Sequence, residues 1–236
     1  MKHLFQLFLM TISLIHGQEN GWVKQNLSNG IKGLKTSFTQ SPSTKVLLAG
    51  CIGSVVTYQF EDSVQDWFLD QQPLPKTLNR FGDHYGELYS GLFALSLTGV
   101  HSLKQNEFQT LEYAFATLGA NGVTSILLKE TIRRDRPDKS NHRSFPSAHT
   151  SQSFATATIL NETFGWKLGL PAYCLAIVTA MNRMQDNKHY LSDVVFGGSL
   201  GTALGIGFSK AYLGESKKIN LTFNSVNSEF RFILMF

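Results

Sequence analysis

Six apolar segments, at 46–60, 88–103, 110–129, 149–160, 168–183 and 192–213, dominate the 236-residue chain and are cut apart by polar, Gly- or Pro-marked turns. Each exceeds the usual length of a strand, so each is expected to be a helix. Small residues recur in them, most densely from Gly197 to Gly205, where they let helix backbones approach closely. The expected fold class is all-α, a compact bundle of about six core helices forming one domain over 18–213. After Leu213 the chain turns polar, then alternates through Ile219, Leu221 and Phe223 and again through Phe230 and Phe232. That period of two points to a C-terminal β-hairpin turning at 224–227, or to a tail lying on the bundle, within 214–236.

The first 17 residues stand apart. Lys2 and His3 precede a short apolar run, and Gly17 precedes Gln18 and Glu19, the layout of a signal peptide cleaved near Gly17. An exported protein is therefore expected, periplasmic or otherwise extracytoplasmic. Beyond this segment the longest stretches free of Asp, Glu, Lys and Arg are about 16 residues, short of the roughly 20 that a membrane span wants. With a mean hydropathy of -0.07, a water-soluble or peripherally membrane-bound bundle is expected, although small-residue packing inside a membrane gives a similar pattern.

Charge narrows the partners. A formal net charge of +4 permits an anionic substrate but is too small to indicate a nucleic-acid partner. Both cysteines, Cys51 and Cys174, sit in apolar runs, where a free thiol behaves as a small buried hydrophobe, although export also permits a disulfide. No zinc-ligand spacing is present, so no metal is expected.

The chemistry lies in three clusters. Lys129 and Arg136 are seven residues apart, which puts both cations on one face if the helix continues, with Pro137 ending it; two such cations make an anion clamp. Ser147 is a natural N-cap, which would leave the amides of Ala148 and His149 free at a helix N-terminus, where an anionic oxygen is favoured. His189 and Asp193, at i and i+4, share a face if helical, so the carboxylate can hold one ring nitrogen and leave the other as a directed nucleophile or base. Arg183 lies six residues ahead of that pair. Aromatic residues at Trp67, Phe68, Phe81 and Tyr85 suit an acyl-binding entrance or, more commonly, core.

In this order, Lys129 to Arg136-Pro137, Pro146-Ser147-Ala148-His149, then Arg183, His189 and Asp193 strongly resemble the signature of the type 2 phosphatidic acid phosphatase (PAP2) superfamily. Bacterial class A acid phosphatases and vanadium haloperoxidases share it. The resemblance covers 129–193 by motif. It implies a PAP2-like bundle in which Lys129, Arg136 and Arg183 bind the phosphate oxygens with Ser147 and the Ala148 amide, His189 attacks phosphorus under orientation by Asp193, and His149 protonates the leaving group. No cofactor is implied. The implied activity is metal-independent hydrolysis of phosphomonoesters or pyrophosphates, lipid phosphates first and small soluble esters next, through a phosphohistidine. Two other functions fit the same motifs: a vanadate-dependent haloperoxidase and a catalytically silent phosphate- or lipid-binding bundle. Two positions depart from the pattern. Ala148 stands where a glycine is usual, and its amide serves if its φ is negative. Asn182 stands where a serine usually precedes the arginine.

Overall fold

In the computed structural model the described residues are 19–214, 219–224 and 229–234; the expected signal peptide at 1–17 lies outside them. The described residues form nine α-helices: α1 (Glu19–Thr39), α2 (Ser43–Tyr58), α3 (Glu61–Gln71), α4 (Lys76–His84), α5 (Ser90–Gln105), α6 (Gln109–Ile132), α7 (Ala148–Phe164), α8 (Trp166–Gln185) and α9 (Leu191–Tyr212). A single π-helical turn, Tyr85–Tyr89, joins α4 to α5. At the C-terminus β1 (Ile219–Asn224) and β2 (Glu229–Leu234) pair antiparallel, Ile219 opposite Leu234 and Asn224 opposite Glu229. Asn224 is therefore the last paired residue of its strand, and the connection at 225–228 lies outside the described residues.

All six expected helical segments are present. α1, α3 and α4 come in addition, because their apolar residues are scattered among polar ones and form no continuous run.

Glycine spacing sets the central contact. Gly197, Gly201 and Gly205 fall four apart on α9 and face α7, the first two against its backbone and Gly205 against the Thr158 side chain. A Cβ at Gly201 would lie 2.0 Å from the Ser151 carbonyl oxygen, and one at Gly197 would lie 2.7 Å from that of Ser147. Only glycine admits this approach. Because higher numbers on α9 meet higher numbers on α7, the two helices run in the same direction and present their N-termini at one end. The Ser147 amide donates to the Asp193 carbonyl there (3.1 Å). α6 and α8 run the other way and bring their C-terminal turns, with Lys129 and Arg183, to the same end. A buried apolar cluster that includes Tyr113, Ile159, Leu200, Leu204 and Phe208 fills the middle, and Tyr113 Oη donates to the Gly205 carbonyl (2.9 Å).

The partition of side chains differs from that of a water-soluble bundle. On α7, Thr150, Ser151, Ser153, Thr156 and Thr158 are buried, as are Thr117, Asn121 and Ser125 on α6. Conversely Val23, Leu27, Ile31, Leu34 and Phe38 form an exposed stripe along α1, continued by Leu48, Ile52 and Val55 on α2. Hydropathy averaged along the sequence hides this arrangement, because apolar exteriors and polar interiors cancel. By length and composition α9 is, among the described residues, the one helix long and apolar enough to cross a membrane. Cys51 and Cys174 are free and exposed on outward helix faces, not buried as their apolar neighbours suggest. Those neighbours themselves face outward.

Candidate active site

The site-bearing residues come from four helix termini and the loops between them. α6 stops at Ile132, four residues short of Arg136, so Lys129 and Arg136 do not share a helix face. The helix ends because Arg133 takes a left-handed conformation (φ 51°) and closes the last turn onto the Lys129 carbonyl (3.1 Å). Lys129 is buried, and its ammonium donates to the carbonyls of Arg143 (2.6 Å), Pro146 (2.6 Å) and, at longer range, Ser144 (3.4 Å). It therefore ties down the loop that leads into α7. Arg136, half-buried in that loop, has a buried Nε with no hydrogen-bond partner.

Ser147 occupies the N-cap of α7 with extended φ and ψ (-70°, 108°), as its residue type suggests. Its hydroxyl pairs with the Thr150 hydroxyl (3.0 Å) rather than with a first-turn amide. Ala148 opens the helix with negative φ, so the condition on replacing glycine is met. The first-turn amides of Ala148 and His149 have no carbonyl partner within the helix. Burial, then the charges of Arg183 and His189, push the His149 pKa down to about 3 against the pull of Asp83, whose Oδ1 lies 3.9 Å from His149 Nε2. Gly86, in the π-helical turn, lets α4 and α5 close over His149: a Cβ there would stand 2.9 Å from His149 Cβ.

Arg183, buried in the last turn of α8, pairs through Nη1 with Asp83 Oδ1 and donates to Asn182 Oδ1 (3.2 Å), leaving its Nε buried and unpartnered. Asn182 is fully buried. Its amide donates to Asn79 O (3.0 Å), Asn79 Oδ1 (2.9 Å) and Asp186 Oδ2 (2.9 Å), tying α8 to α4. After α8, Asn187 adopts a left-handed conformation (φ 56°), which asparagine tolerates. The chain thereby folds back, and the amides of Lys188 (3.0 Å) and His189 (3.1 Å) both donate to the Arg183 carbonyl.

His189 therefore precedes α9 instead of belonging to it, and the shared helix face expected for His189 and Asp193 is not how they meet. Asp193 sits in the first turn of α9 and turns back, accepting the Tyr190 amide at Oδ2 (2.9 Å). That carboxylate oxygen stands 3.7 Å from His189 Nδ1. Asp193 is 0% and His189 1% exposed. Burial, reinforced by the charges of Lys129 and Arg183, pushes the His189 pKa down to about 4 against the opposing pull of Asp193. The imidazole is accordingly neutral at neutral pH. Burial and the like charge of Arg183 also loosen the proton on Arg136.

Arg134 is the residue that sequence reasoning passed over, as one more charge in a basic run. It turns inward to Asp193 and Glu61. Asp83 and Glu61 were likewise missed, being lone acids on helices without an apolar run. Among the described residues no cluster of His, Cys, Asp and Glu is arranged to hold a metal.

Four helix termini thus converge on one cationic, histidine-bearing end of the bundle. The PAP2 superfamily model matches residues 109–216. The decaprenylphosphoryl-5-phosphoribose phosphatase of Mycobacterium tuberculosis (strain CDC 1551 / Oshkosh) is 31% identical over 131 residues, covering 52% of this chain and 72% of that protein. The lipid A 4'-phosphatase of Helicobacter pylori (strain J99) is 25% identical over 160 residues, covering 65% and 79%. The crystal structure of a transmembrane PAP2-type phosphatidylglycerolphosphate phosphatase from Bacillus subtilis superposes with a TM-score of 0.56 at 20% identity, covering 68% of this chain and 90% of that one. The chain belongs to the PAP2 superfamily.

Proposed function

We propose that the protein is a phosphatase of lipid phosphates that works through a phosphohistidine on His189. The observation that carries this reading is the buried His189–Asp193 pair set beside Arg136 and Arg183, each with an unpartnered buried Nε, at the N-terminal end of α7. Phosphoryl transfer asks mainly for positioning and charge neutralisation. Arg136, Arg183, Ser147 and the Ala148 amide hold the non-bridging oxygens, while Lys129 fixes the loop that carries them. With Nδ1 facing Asp193, Nε2 attacks phosphorus; the P–O bond to the leaving group breaks, and His149 gives that oxygen a proton. His149 then takes a proton from water, which attacks the phosphohistidine; the P–N bond breaks and inorganic phosphate leaves.

Lipid is favoured as the substrate class by the apolar exterior and by the names of the relatives. An apolar hollow of about 330 Å³ between α2, α8 and α9, lined by Val46, Ile177, Met181 and Leu191, offers room for part of an acyl chain. The bundle is accordingly placed in or on a membrane. Residues 1–17, read as a signal peptide, support export.

The test uses the full chain purified in detergent, with phosphatidate, an isoprenyl pyrophosphate and a sugar phosphate offered in EDTA. Phosphate release from the lipid substrates, inhibited by vanadate, together with an acid-labile radiolabel on the protein that H189A lacks, is the expected result. Full activity in H189A overturns the mechanism, and release from sugar phosphate alone overturns the substrate class.

A further inference from the structure

We propose that Arg134, anchored by Glu61, is a positioning residue that sets the Asp193 carboxylate toward His189. This inference rests on the functional reading above.

The two oxygens of Asp193 are divided between two tasks. Oδ1 accepts Arg134 Nη1 (2.7 Å). Oδ2 accepts the Ser144 hydroxyl (2.6 Å) and the Tyr190 amide (2.9 Å) and faces His189 Nδ1. A carboxylate pinned on both oxygens has its plane fixed, and with it the direction from which Oδ2 faces the imidazole, 3.7 Å from His189 Nδ1. The guanidinium is itself held. Its Nη2 pairs with Glu61 Oε1, Glu61 Oε2 accepts the Ser192 hydroxyl (2.5 Å), and that hydroxyl oxygen accepts Arg134 Nη1 (2.7 Å), closing a ring of three residues. The rings of Tyr190 and Tyr58 cover the guanidinium at 4.4 and 5.2 Å from their centroids. A planar, two-pronged cation meets two carboxylates and a hydroxyl in fixed directions.

The inward aim of Arg134 follows from the left-handed turn at Arg133 immediately before it, and the Arg134 carbonyl is fixed by the Ser144 amide (2.9 Å). Neither Arg134 nor Glu61 touches the groups assigned to the phosphate. Their effect passes through Asp193, which makes it separable from a role in substrate binding. It is also separable from simple scaffolding, because it vanishes once the Asp193 charge is gone.

The experiment compares R134A, R134K, E61Q, H189A and D193N in the full detergent-solubilised chain, with phosphatidate as substrate. R134A is expected to lower kcat about 100-fold, with KM within about twofold and a folded thermal transition. R134K and millimolar guanidinium added to R134A each restore about tenfold. In the D193N background, R134A changes kcat by no more than about twofold, since its route of action is gone. If R134A does not fold, E61Q gives the same pattern at smaller amplitude. An undiminished R134A effect in D193N, a rise in KM with kcat intact, or wild-type kcat in R134A overturns the proposal. If H189A is inactive while R134A and E61Q behave as wild type, only this inference falls; if H189A is active, the functional reading falls with it.

Discussion

The Asp83 carboxylate lies between Arg183, with which it pairs, and His149, 3.9 Å away. An acid on α4 thus occupies a cation assigned to substrate phosphate and stands beside the group assigned as the proton donor. A phosphate dianion must displace it or share Arg183 with it.

Replacing Asp83 by alanine frees Arg183 and removes a like charge from the approach of the anion. At half-exposed positions one such charge is worth about 1 kcal/mol. The D83A enzyme is therefore expected to bind orthovanadate several-fold more tightly and to show a lower KM. Its kcat falls, because His149, whose pKa burial already pushes down to about 3, loses a carboxylate that favours its protonated form. Steady-state inhibition by vanadate measures the first effect, and unchanged vanadate affinity removes Asp83 from the anion pocket.

The pH dependence follows from the sign of the His189 shift. Its pKa is lowered to about 4, so the ring stays neutral and able to attack down to that pH. The acid limb of kcat/KM is expected near 4 and not near 6.5, the usual value for histidine. The same shift acts on stability. Below pH 6.5 the unfolded chain takes up a proton that the folded chain refuses, so stability is lost as the pH falls from 6.5 toward 4. H189N lacks that loss, and thermal melts across this window should show it less acid-sensitive than the wild type.

Gly201 tests the packing that assembles the site. Its missing Cβ is what lets α9 lie against the α7 backbone. In G201A the helices must separate, with an expected loss of about 2 kcal/mol or more and of most activity, since Ser147 and Asp193 are joined across this seam. G99A, whose Cβ would make ordinary contact with Leu111, serves as the control. Chemical denaturation of both variants measures the difference.

The outward stripe on α1 gives a fourth expectation. Changing Leu27 and Ile31, 65% and 61% exposed, to aspartate leaves the core untouched. The double variant should move from the membrane fraction toward the soluble one and lose activity on phosphatidate in vesicles more than on phosphatidate in detergent micelles. Flotation with vesicles checks this, and unaltered flotation removes α1 from the lipid contact.

The all-α class was legible because apolar runs mark helices however they are later packed, and the cap at Ser147 was legible because capping is a local property. What the sequence hides is the direction in which a run faces. Leu27 and Ile31 carry the same hydropathy inside or outside, so the exposed stripe appears only in three dimensions. The His189–Asp193 spacing suggested a helix face, yet the pair meets because Asn187 reverses the chain and Asp193 reaches back to the Tyr190 amide. Among three neighbouring arginines, Arg133 caps a helix, Arg134 pairs with Asp193, and Arg136 keeps a buried Nε without a partner. Composition treats them alike, and the left-handed turn at Arg133 separates their directions. Asn182, a departure from the family pattern, is explained by three bonds to α4 and the end of its own helix.

The parallel run of α7 and α9 has a topological consequence. Because both N-termini and both opposing C-termini meet at one pole, the histidines and their cationic neighbours gather at a single end of the bundle, and under the proposed function a lipid headgroup is met from that end alone.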